Sequence, residues 1–315
     1  MMKLDGIATF VAVADAGSIS EAARRLGLPK SVVSERLLEL ERTLGARLAQ
    51  RTTRRMSLTE DGAAFLTRAR RILRETQAAA DEVAERRGEL SGPLRIAGPV
   101  SFGSLHLGPA LYPFLRENPG LALSLDLDDR FVDIAAAGYD AVVRHGPVGD
   151  NRLIAHRLAP SRRILVASPA YLQAHGEPHG LAELEAHKAI LYANREADWR
   201  FTGPGGAVVV RPNAGLRVNN GLVMRDAALA GLGVTLLASF IVQRELASGA
   251  LCALDVGPEP EGAEIFLAHP RDVSASAKVR ALIRRLREAF GEPPYWDMPP
   301  APPVQSPAPA ASASA

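Results

Sequence analysis

The sequence predicts an α/β protein with a mainly helical N-terminal domain, a long connecting helix and a two-lobed α/β domain. Three observations predict this class. Two amphipathic helical segments flank a glycine turn near the N-terminus, a long stretch without proline follows, and strand-like and helix-like segments alternate beyond Gly92. The chain of 315 residues also exceeds what a single hydrophobic core usually supports.

Three helices are predicted in the first 45 residues. One face of the first helix is formed by Leu4, Ile7, Phe10, Val11 and Ala14. The second helix has a serine that can cap its start, ends at Gly27, and repeats apolar residues at helical spacing. These residues are Ile19, Ala22, Ala23 and Leu26. The third helix can open at Pro29 and end at Gly45. Its predicted buried stripe consists of Val33, Leu37, Leu40 and Leu44.

Two groups of side chains suit contact with DNA. The polar side of the third helix, where a recognition helix would face a major groove, carries Ser31, Glu35, Leu38 and Arg42. The segments ARLAQ and MSLT then flank the turn RTTRR, which predicts a small β-hairpin, or wing. The guanidinium groups of this turn suit phosphates and belong to Arg51, Arg54 and Arg55. The alternative is a basic loop that contacts only solvent, and the preceding helix pair favours DNA contact.

The overall charge does not by itself indicate nucleic-acid binding. The net charge is only +2, and residues 1–62 hold ten Lys or Arg against eight Asp or Glu. DNA binding must therefore depend on where the cations lie, and should weaken steeply with salt. Further cations on the connecting helix can add to it: Arg68, Arg70, Arg71 and Arg74.

The segment from Ala12 to Gly62 resembles the DNA-binding domain of the LysR-type transcriptional regulators. The match lies in the motif AGSISEAARRLGLPKSVVSERLLELERTLGARLAQRTTRRMSLTEDG and extends over nearly its whole length. The resemblance implies that Ser18–Leu26 is a supporting helix and Pro29–Leu44 the reading helix. It also implies DNA contacts at Lys30, Ser31, Val32, Ser34 and Glu35, to which we add Arg36.

Glu35 departs from the family pattern, which usually has arginine or a similar group at this position. A carboxylate repels phosphate but can accept a hydrogen bond from the amino group of cytosine. Glu35 therefore either reads a C·G base pair or forms an ion pair with Arg36 or Arg42. Of these two alternatives, we favour the ion pair.

A dimerising linker helix is predicted from Thr59 to Arg87, where Gly62 is the only glycine and proline is absent. Spacings of three and four residues give a heptad seam of Leu66, Ala69, Leu73, Thr76, Ala80 and Val83. The alternative is that this stripe packs on the chain's own body. We expect dimerisation, because a helix-turn-helix monomer covers only one half-site. Gly88, Gly92 and Pro93 mark a hinge.

Beyond the hinge, alternating strands and helices predict an α/β domain of two lobes. It resembles the effector-binding domain of the LysR-type family, which is related to periplasmic solute-binding folds. The expected domains are residues 1–62 for the winged helix-turn-helix and 63–91 for the linker and hinge. Lobe I comprises 92–162 and 268–291, lobe II comprises 163–267, and a disordered Pro/Ala-rich tail comprises 292–315, with Tyr295 and Trp296 pinning its start to the body.

A small effector is expected between the two lobes, at strand ends and helix starts. The candidate contacts are Ser101, Phe102, Arg144, Asn220 and Thr235. Because arginine and helix N-termini complement negative charge, an organic anion would suit them. The alternative for each residue is local: a helix cap for serine or asparagine, and a surface ion pair for arginine.

The usual enzyme motifs are missing, including GxSxG, GxxxxGK[ST], HExxH and a complete GxGxxG. We expect no cofactor and no metal site, since Cys252 is the only cysteine and the spacing of His175 and His179 is broken by Gly176 and Pro178. The N-terminus lacks the basic start of a secretory signal, so a cytoplasmic, nucleoid-associated protein without a membrane span is expected.

The sequence as a whole predicts a bacterial transcriptional regulator whose DNA binding is controlled by a small effector. Double-stranded operator DNA and a second copy of the chain, in a homodimer or homotetramer, are the expected partners, and RNA polymerase is a further candidate. Two alternatives remain open at this point: a solute-binding sensor whose two lobes are the whole function, and, less favoured, an enzyme of unknown activity.

Overall fold

A computed structural model describes residues 2–51, 56–85, 89–130, 138–194, 199–203, 205–271 and 275–298. The chain divides into two compact units. The first comprises Met1–Leu158 and Glu264–Ala289, and the second comprises Ala159–Ala263 and Phe290–Ala315. Within the described part of the chain, no helix is long and apolar enough to cross a membrane.

The first unit begins with the predicted helix-turn-helix and hairpin. Its elements are α1 (Leu4–Ala16), α2 (Ile19–Leu26), α3 (Lys30–Leu44), β1 (Ala49–Arg51), β2 (Met56–Leu58) and α4 (Glu60–Glu85). β1 and β2 pair antiparallel, with Arg51 opposite Met56. Gly27 and Gly45 end α2 and α3 in the left-handed conformation, at φ +63° and +69°, which glycine adopts without steric cost.

Three helices and the start of α4 enclose a small hydrophobic core. Phe10, Ala22, Val33, Leu37 and Leu40 are among its buried members. Leu44, which was expected to complete the buried stripe of α3, is instead 37% exposed because it is the last residue of the helix.

The predicted heptad seam of α4 divides into two halves. Ala69 is buried, and Leu66 and Leu73 pack beside it against the core of the helix-turn-helix. Further along, Thr76 and Ala80 are exposed, and Val83 is 57% exposed. Packing on the chain's own body therefore explains the first half of the seam, and the second half presents a free face.

The first unit continues into a sheet that follows the hinge. Its next elements are β3 (Gly92–Gly98), α5 (Val100–Phe102), a π-helical turn (Gly103–Leu107), α6 (Gly108–Glu117), β4 (Leu121–Leu127), β5 (Ala141–His145) and β6 (Leu153–Ser161). β3 pairs parallel with both β4 and β5, so the carboxyl ends of these three strands share one edge of the sheet. The chain enters the second unit within β6.

The second unit contains two sheets. Its elements in chain order are β7 (Arg163–Ala167), α7 (Pro169–His175), a 3-10 turn (Glu183–Ala186), β8 (Lys188–Tyr192), β9 (Trp199–Gly203), β10 (Gly206–Val210), β11 (Asn213–Val218), α8 (Gly221–Leu229), β12 (Val234–Ala238), α9 (Ser239–Ala247), β13 (Cys252–Ala253) and β14 (Glu259–Pro260). The strand orders are β11-β8-β12-β7-β13 and β10-β9-β14.

The chain returns to the first unit through β15 (Ala263–Pro270) and α10 (Ala277–Phe290). β15 pairs antiparallel with β5, which gives the strand order β4-β3-β5-β15-β6.

The start of the predicted tail is ordered. Tyr295–Asp297 forms a 3-10 turn, and the buried Trp296 contacts the rings of Phe240 and Phe290. Tyr295 is exposed, and its carbonyl accepts a hydrogen bond from Gln243. Residues 292–298 therefore do not belong to the predicted disordered tail, and the rest of that prediction, residues 299–315, lies outside the described residues.

Candidate DNA-binding surface and effector-domain residues

The predicted contact residues of α3 differ in accessibility. Lys30, Ser31 and Glu35 are exposed, whereas Val32, Ser34 and Arg36 are half-buried. The opposite side of the helix is fixed by the buried stripe against α1 and α2. Since residues four apart share a helix face, Ser31 and Glu35 lie side by side at the outer surface. The helix can therefore present hydroxyl, ammonium and carboxylate groups together to a DNA groove.

The predicted ion pair of Glu35 with Arg36 or Arg42 does not form in the described part of the chain. Arg36 instead pairs with Asp5 of α1, its Nη2 lying 3.2 Å from Oδ2. The carboxylate of Glu35 is exposed, and base reading by Glu35 stays a prediction.

Two arginines of the supporting helix share one carboxylate. Glu21 pairs with Arg24 at 2.6 Å and with Arg25 at 3.0 Å. The hydrogen bonds from Arg24 and then Arg25 hold the pKa of Glu21 at about 2, so the carboxylate stays charged at any physiological pH. Part of the positive charge of this helix is therefore offset by Glu21, and the Glu21 spacing of three and four residues could have indicated this from the sequence.

The segments that flank the wing are joined by hydrogen bonds. Thr59 N–H donates to the Leu48 carbonyl at 3.1 Å, and Thr59 Oγ1 donates to the Arg47 carbonyl at 2.6 Å. A Cβ atom on Gly62 would lie 1.9 Å from Leu48 O, so this position requires glycine. Of the predicted wing cations, the Arg51 side chain, Arg54 and Arg55 lie outside the described residues.

One of the candidate phosphate contacts on the linker helix is engaged inside the protein. Arg70 is turned inward and pairs with Asp15 of α1. Its side chain is 12% exposed, which makes it a link between α4 and the helix-turn-helix core and not a phosphate contact. Arg68 and Arg71 are exposed on the same helix and remain candidates.

In the first unit, Ser101 and Arg144 lie at the same edge of the sheet. Ser101 follows β3, and Arg144 lies near the carboxyl end of β5, which runs parallel to β3 with Val142 opposite Ala97. Ser101 is 5% exposed, and its Oγ has no hydrogen-bond partner among the described residues. Burial lowers the pKa of Arg144 without removing its charge at neutral pH.

A carboxylate missed in the sequence caps the helix that begins at Val100. Asp129 Oδ1 accepts a hydrogen bond from Val100 N–H at 3.0 Å, so Ser101 is not the cap. Phe102 is 1% exposed and packs near His106, with ring centroids 5.4 Å apart. Phe102 thus belongs to the core. The buried Oγ of Ser101 has no hydrogen-bond partner among the described residues.

In the second unit, the structure separates Asn220 from Thr235. Asn220 caps α8, since its Oδ1 accepts from Leu222 N–H at 2.9 Å and from Val223 N–H at 3.2 Å. Thr235 is fully buried and donates to the Ile190 carbonyl at 2.9 Å.

The strand pairing explains this separation. Ile190 of β8 is opposite both Thr235 and Leu216, in parallel strands, so Thr235 is level with Leu216. Asn220 is four residues beyond Leu216, about 13 Å along an extended chain. The expectation that Thr235 shares a rim with Asn220 is wrong, because Thr235 lies near the start of its strand.

The chain matches two family models. Residues 4–63 match the bacterial regulatory helix-turn-helix protein of the lysR family, and residues 87–291 match the LysR substrate binding domain. Similar curated proteins include the HTH-type transcriptional regulator PtxR of Pseudomonas aeruginosa, 36% identical over 93% of this chain and 95% of PtxR. The regulator DmlR of Escherichia coli is 33% identical over 92% of this chain and 95% of DmlR.

A solved structure has the same architecture. The full-length virulence activator AphB of Vibrio cholerae, described as a member of the LTTR protein family, is 27% identical. It covers 90% of this chain and 98% of its own, with a TM-score of 0.58. These similarities extend over both the helix-turn-helix and the α/β domain.

Proposed function

Because the chain belongs to the LysR family of DNA-binding transcriptional regulators, we propose that it holds operator DNA with the outer face of α3 and the wing cations. It is a regulator with an effector-binding domain and not an enzyme. The observation that carries the proposal is the two-sided character of α3. Val33, Leu37 and Leu40 are buried against α1 and α2, and Lys30, Ser31 and Glu35 are exposed together. A helix fixed on one side and polar on the other can enter a major groove without disturbing its domain.

The proposed working form is a homodimer or an assembly of dimers. Its support is the free second half of the α4 seam, where Val83 is exposed although it is apolar. Large apolar side chains are also exposed in the effector domain, with Tyr112 of α6 63% exposed and Val223 of α8 48% exposed. The proposal depends on the α4 seam, because a heptad seam on a helix is the usual means by which two helices pair.

Footprinting of the full chain on the DNA upstream of its own gene tests this proposal. A symmetric dimer should protect two inverted half-sites whose centres are about 10 base pairs, or a multiple of that, apart. Protection of a single half-site would contradict the dimer, and uniform weak protection that disappears with moderate salt would contradict specific operator binding.

We propose that the effector is a small organic anion bound by the α/β domain. Arg144 supplies a half-buried positive charge, and Ser101 supplies a buried hydroxyl without an internal partner.

Calorimetric titration of the full chain with a panel of organic acids and their neutral amides tests the effector proposal. Binding of at least one acid, weakened at least tenfold by Arg144→Gln, is expected. Matched binding of an acid and its amide would contradict the anionic character of the site. A variant of exposed Arg152, which pairs with Asp150 in a turn, serves as the control for loss of a positive charge.

Effector binding is proposed to favour one arrangement of the paired DNA readers over another. The length of the operator footprint should then change on addition of effector. A regulator of this kind would lie on the nucleoid, and contact with RNA polymerase at the promoter is a further part of the proposal. Equal footprints with and without a bound effector would contradict the switch.

A further inference from the structure

We propose that Glu41 is the positioning residue that fixes the wing against the DNA-reading helix. Glu41 lies on α3, one turn before its end. Its Oε1 accepts two hydrogen bonds from the wing backbone, from Leu48 N–H at 2.8 Å and from Ala49 N–H at 3.2 Å. Ala49 opens β1, so a single carboxylate oxygen of α3 holds the residues from which the wing extends.

The surroundings of Glu41 make this contact stronger than an exposed hydrogen bond. Leu48 is 1% exposed and Ala49 is also buried, so their N–H groups cannot turn to water if the acceptor is lost. Hydrogen bonds to a charged acceptor are shorter and stronger than those between neutral groups. The side chain of Glu41 is itself partly buried between α3 and the wing.

The base of the wing is also held from the linker side: Thr59 donates hydrogen bonds to the carbonyls of Arg47 and Leu48, and the backbone of Gly62 passes close to Leu48 O. Those contacts fix the wing to α4, and the Glu41 carboxylate fixes it to α3. The spacing between the reading face of α3 and the predicted wing cation Arg51 therefore depends on Glu41. A small error in this spacing would leave α3 in its groove and move the wing cation away from its phosphate.

This inference rests on the proposed binding of operator DNA and is tested with the full chain and a duplex from its own upstream region. The measurement is the affinity over a range of salt concentrations, because each phosphate contact contributes about 0.9 to the slope of log K against log salt. Glu41→Ala should lower the affinity for DNA at least tenfold. It should also reduce the steepness of the salt dependence by about 0.9, the contribution of one phosphate contact. Glu41→Gln keeps an oxygen acceptor and should restore both values to near those of the wild type.

Two further variants separate positioning from folding. Glu39→Ala removes an exposed carboxylate of the same helix that pairs with Lys3, and should leave the salt slope unchanged. Glu41→Asp keeps the charge but shortens the side chain by one methylene, and should reduce the slope even if Glu41→Ala does not fold. Combined with Arg51→Gln, Glu41→Ala should cause little additional loss, because both changes remove the same phosphate contact.

The outcomes are distinguishable. If the wild type binds the upstream duplex selectively but Glu41→Asp keeps its slope, or if Glu41→Ala and Arg51→Gln lower affinity additively, the positioning role is overturned and operator binding stands. If the wild type shows no selectivity for the upstream duplex, the proposed DNA function has failed and the positioning role fails with it.

Discussion

Arg36 of the DNA-reading helix pairs with Asp5 of the first helix, with 3.2 Å between Nη2 and Oδ2. The pair directs the guanidinium toward the protein and leaves the neighbouring Glu35 exposed without an arginine partner among the described residues. Two adjacent residues of α3 therefore have different surroundings. Arg36 joins α3 to α1, and Glu35 faces solvent.

Glu35→Ala should change base preference at one position of the operator. A carboxylate that accepts a hydrogen bond from cytosine discriminates by about 1–3 kcal/mol, and this discrimination disappears with the side chain. Affinities for operators with each base pair exchanged in turn provide the measurement. Asp5→Ala serves as the control and should shift no preference. An equal change of affinity for all operators would mean that Glu35 acts only through its charge.

Gly62→Ala should destabilise the DNA-binding domain by about 1–3 kcal/mol, because the added Cβ overpacks a site bounded by backbone. The obstructing atom is Leu48 O, only 1.9 Å from the Cβ position. Urea unfolding measures the loss. Gly180→Ala is the matched control, since a Cβ at Gly180 has no heavy atom within 4 Å. Equal stability of the two variants would show that the wing base moves freely.

Val83→Glu should weaken dimerisation and, with it, operator affinity. The substitution places a charge on the exposed half of the α4 seam, where desolvation on pairing becomes costly. Sedimentation at a series of protein concentrations should show a shift toward monomer. Val208→Glu, which changes an exposed valine of β10, should leave the association unchanged. The same monomer fraction in both variants would rule out pairing through this seam.

The order of the N-terminal elements could be predicted from the sequence because its signals are local. Gly27 and Gly45 end their helices, and apolar residues at helical spacing mark the buried sides. The partner of Arg36 could not be predicted, since Asp5 is brought to it by the packing of α1 on α3. Thr235 was placed wrongly because strand order and parallel direction in the sheet, which local patterns do not specify, put it away from the rim.

The free energy of unfolding should fall as the pH is lowered below about 6.5, the pKa of unfolded histidine. His156 and His269 face each other at 3.2 Å between their Nε2 atoms, and burial lowers the pKa of both. Arg287 lowers the pKa of His156 further, while the Pro270 carbonyl partly offsets the effect at His269.

The direction follows from proton uptake. Because the unfolded chain binds these protons at a higher pH than the folded chain, acidification favours unfolding through the range between the unfolded and folded pKa values. His156→Gln with His269→Gln should flatten the profile of urea unfolding between pH 7 and 5 relative to the wild type. A double variant with the same slope as the wild type would show that other groups cause the acid sensitivity.

Sequence-specific reading by the outer face of α3 is tested by the ratio of affinities for the upstream duplex and a scrambled duplex of equal length. The ratio is measured at physiological salt for the wild type and for the double variant Ser31→Ala with Ser34→Ala. The wild type should show a ratio of about 10³ or more, as specific regulators do. The variant should show a much lower ratio, with its affinity for scrambled DNA unchanged. A ratio near one for the wild type, or an undiminished ratio in the variant, would show that this face does not read the sequence.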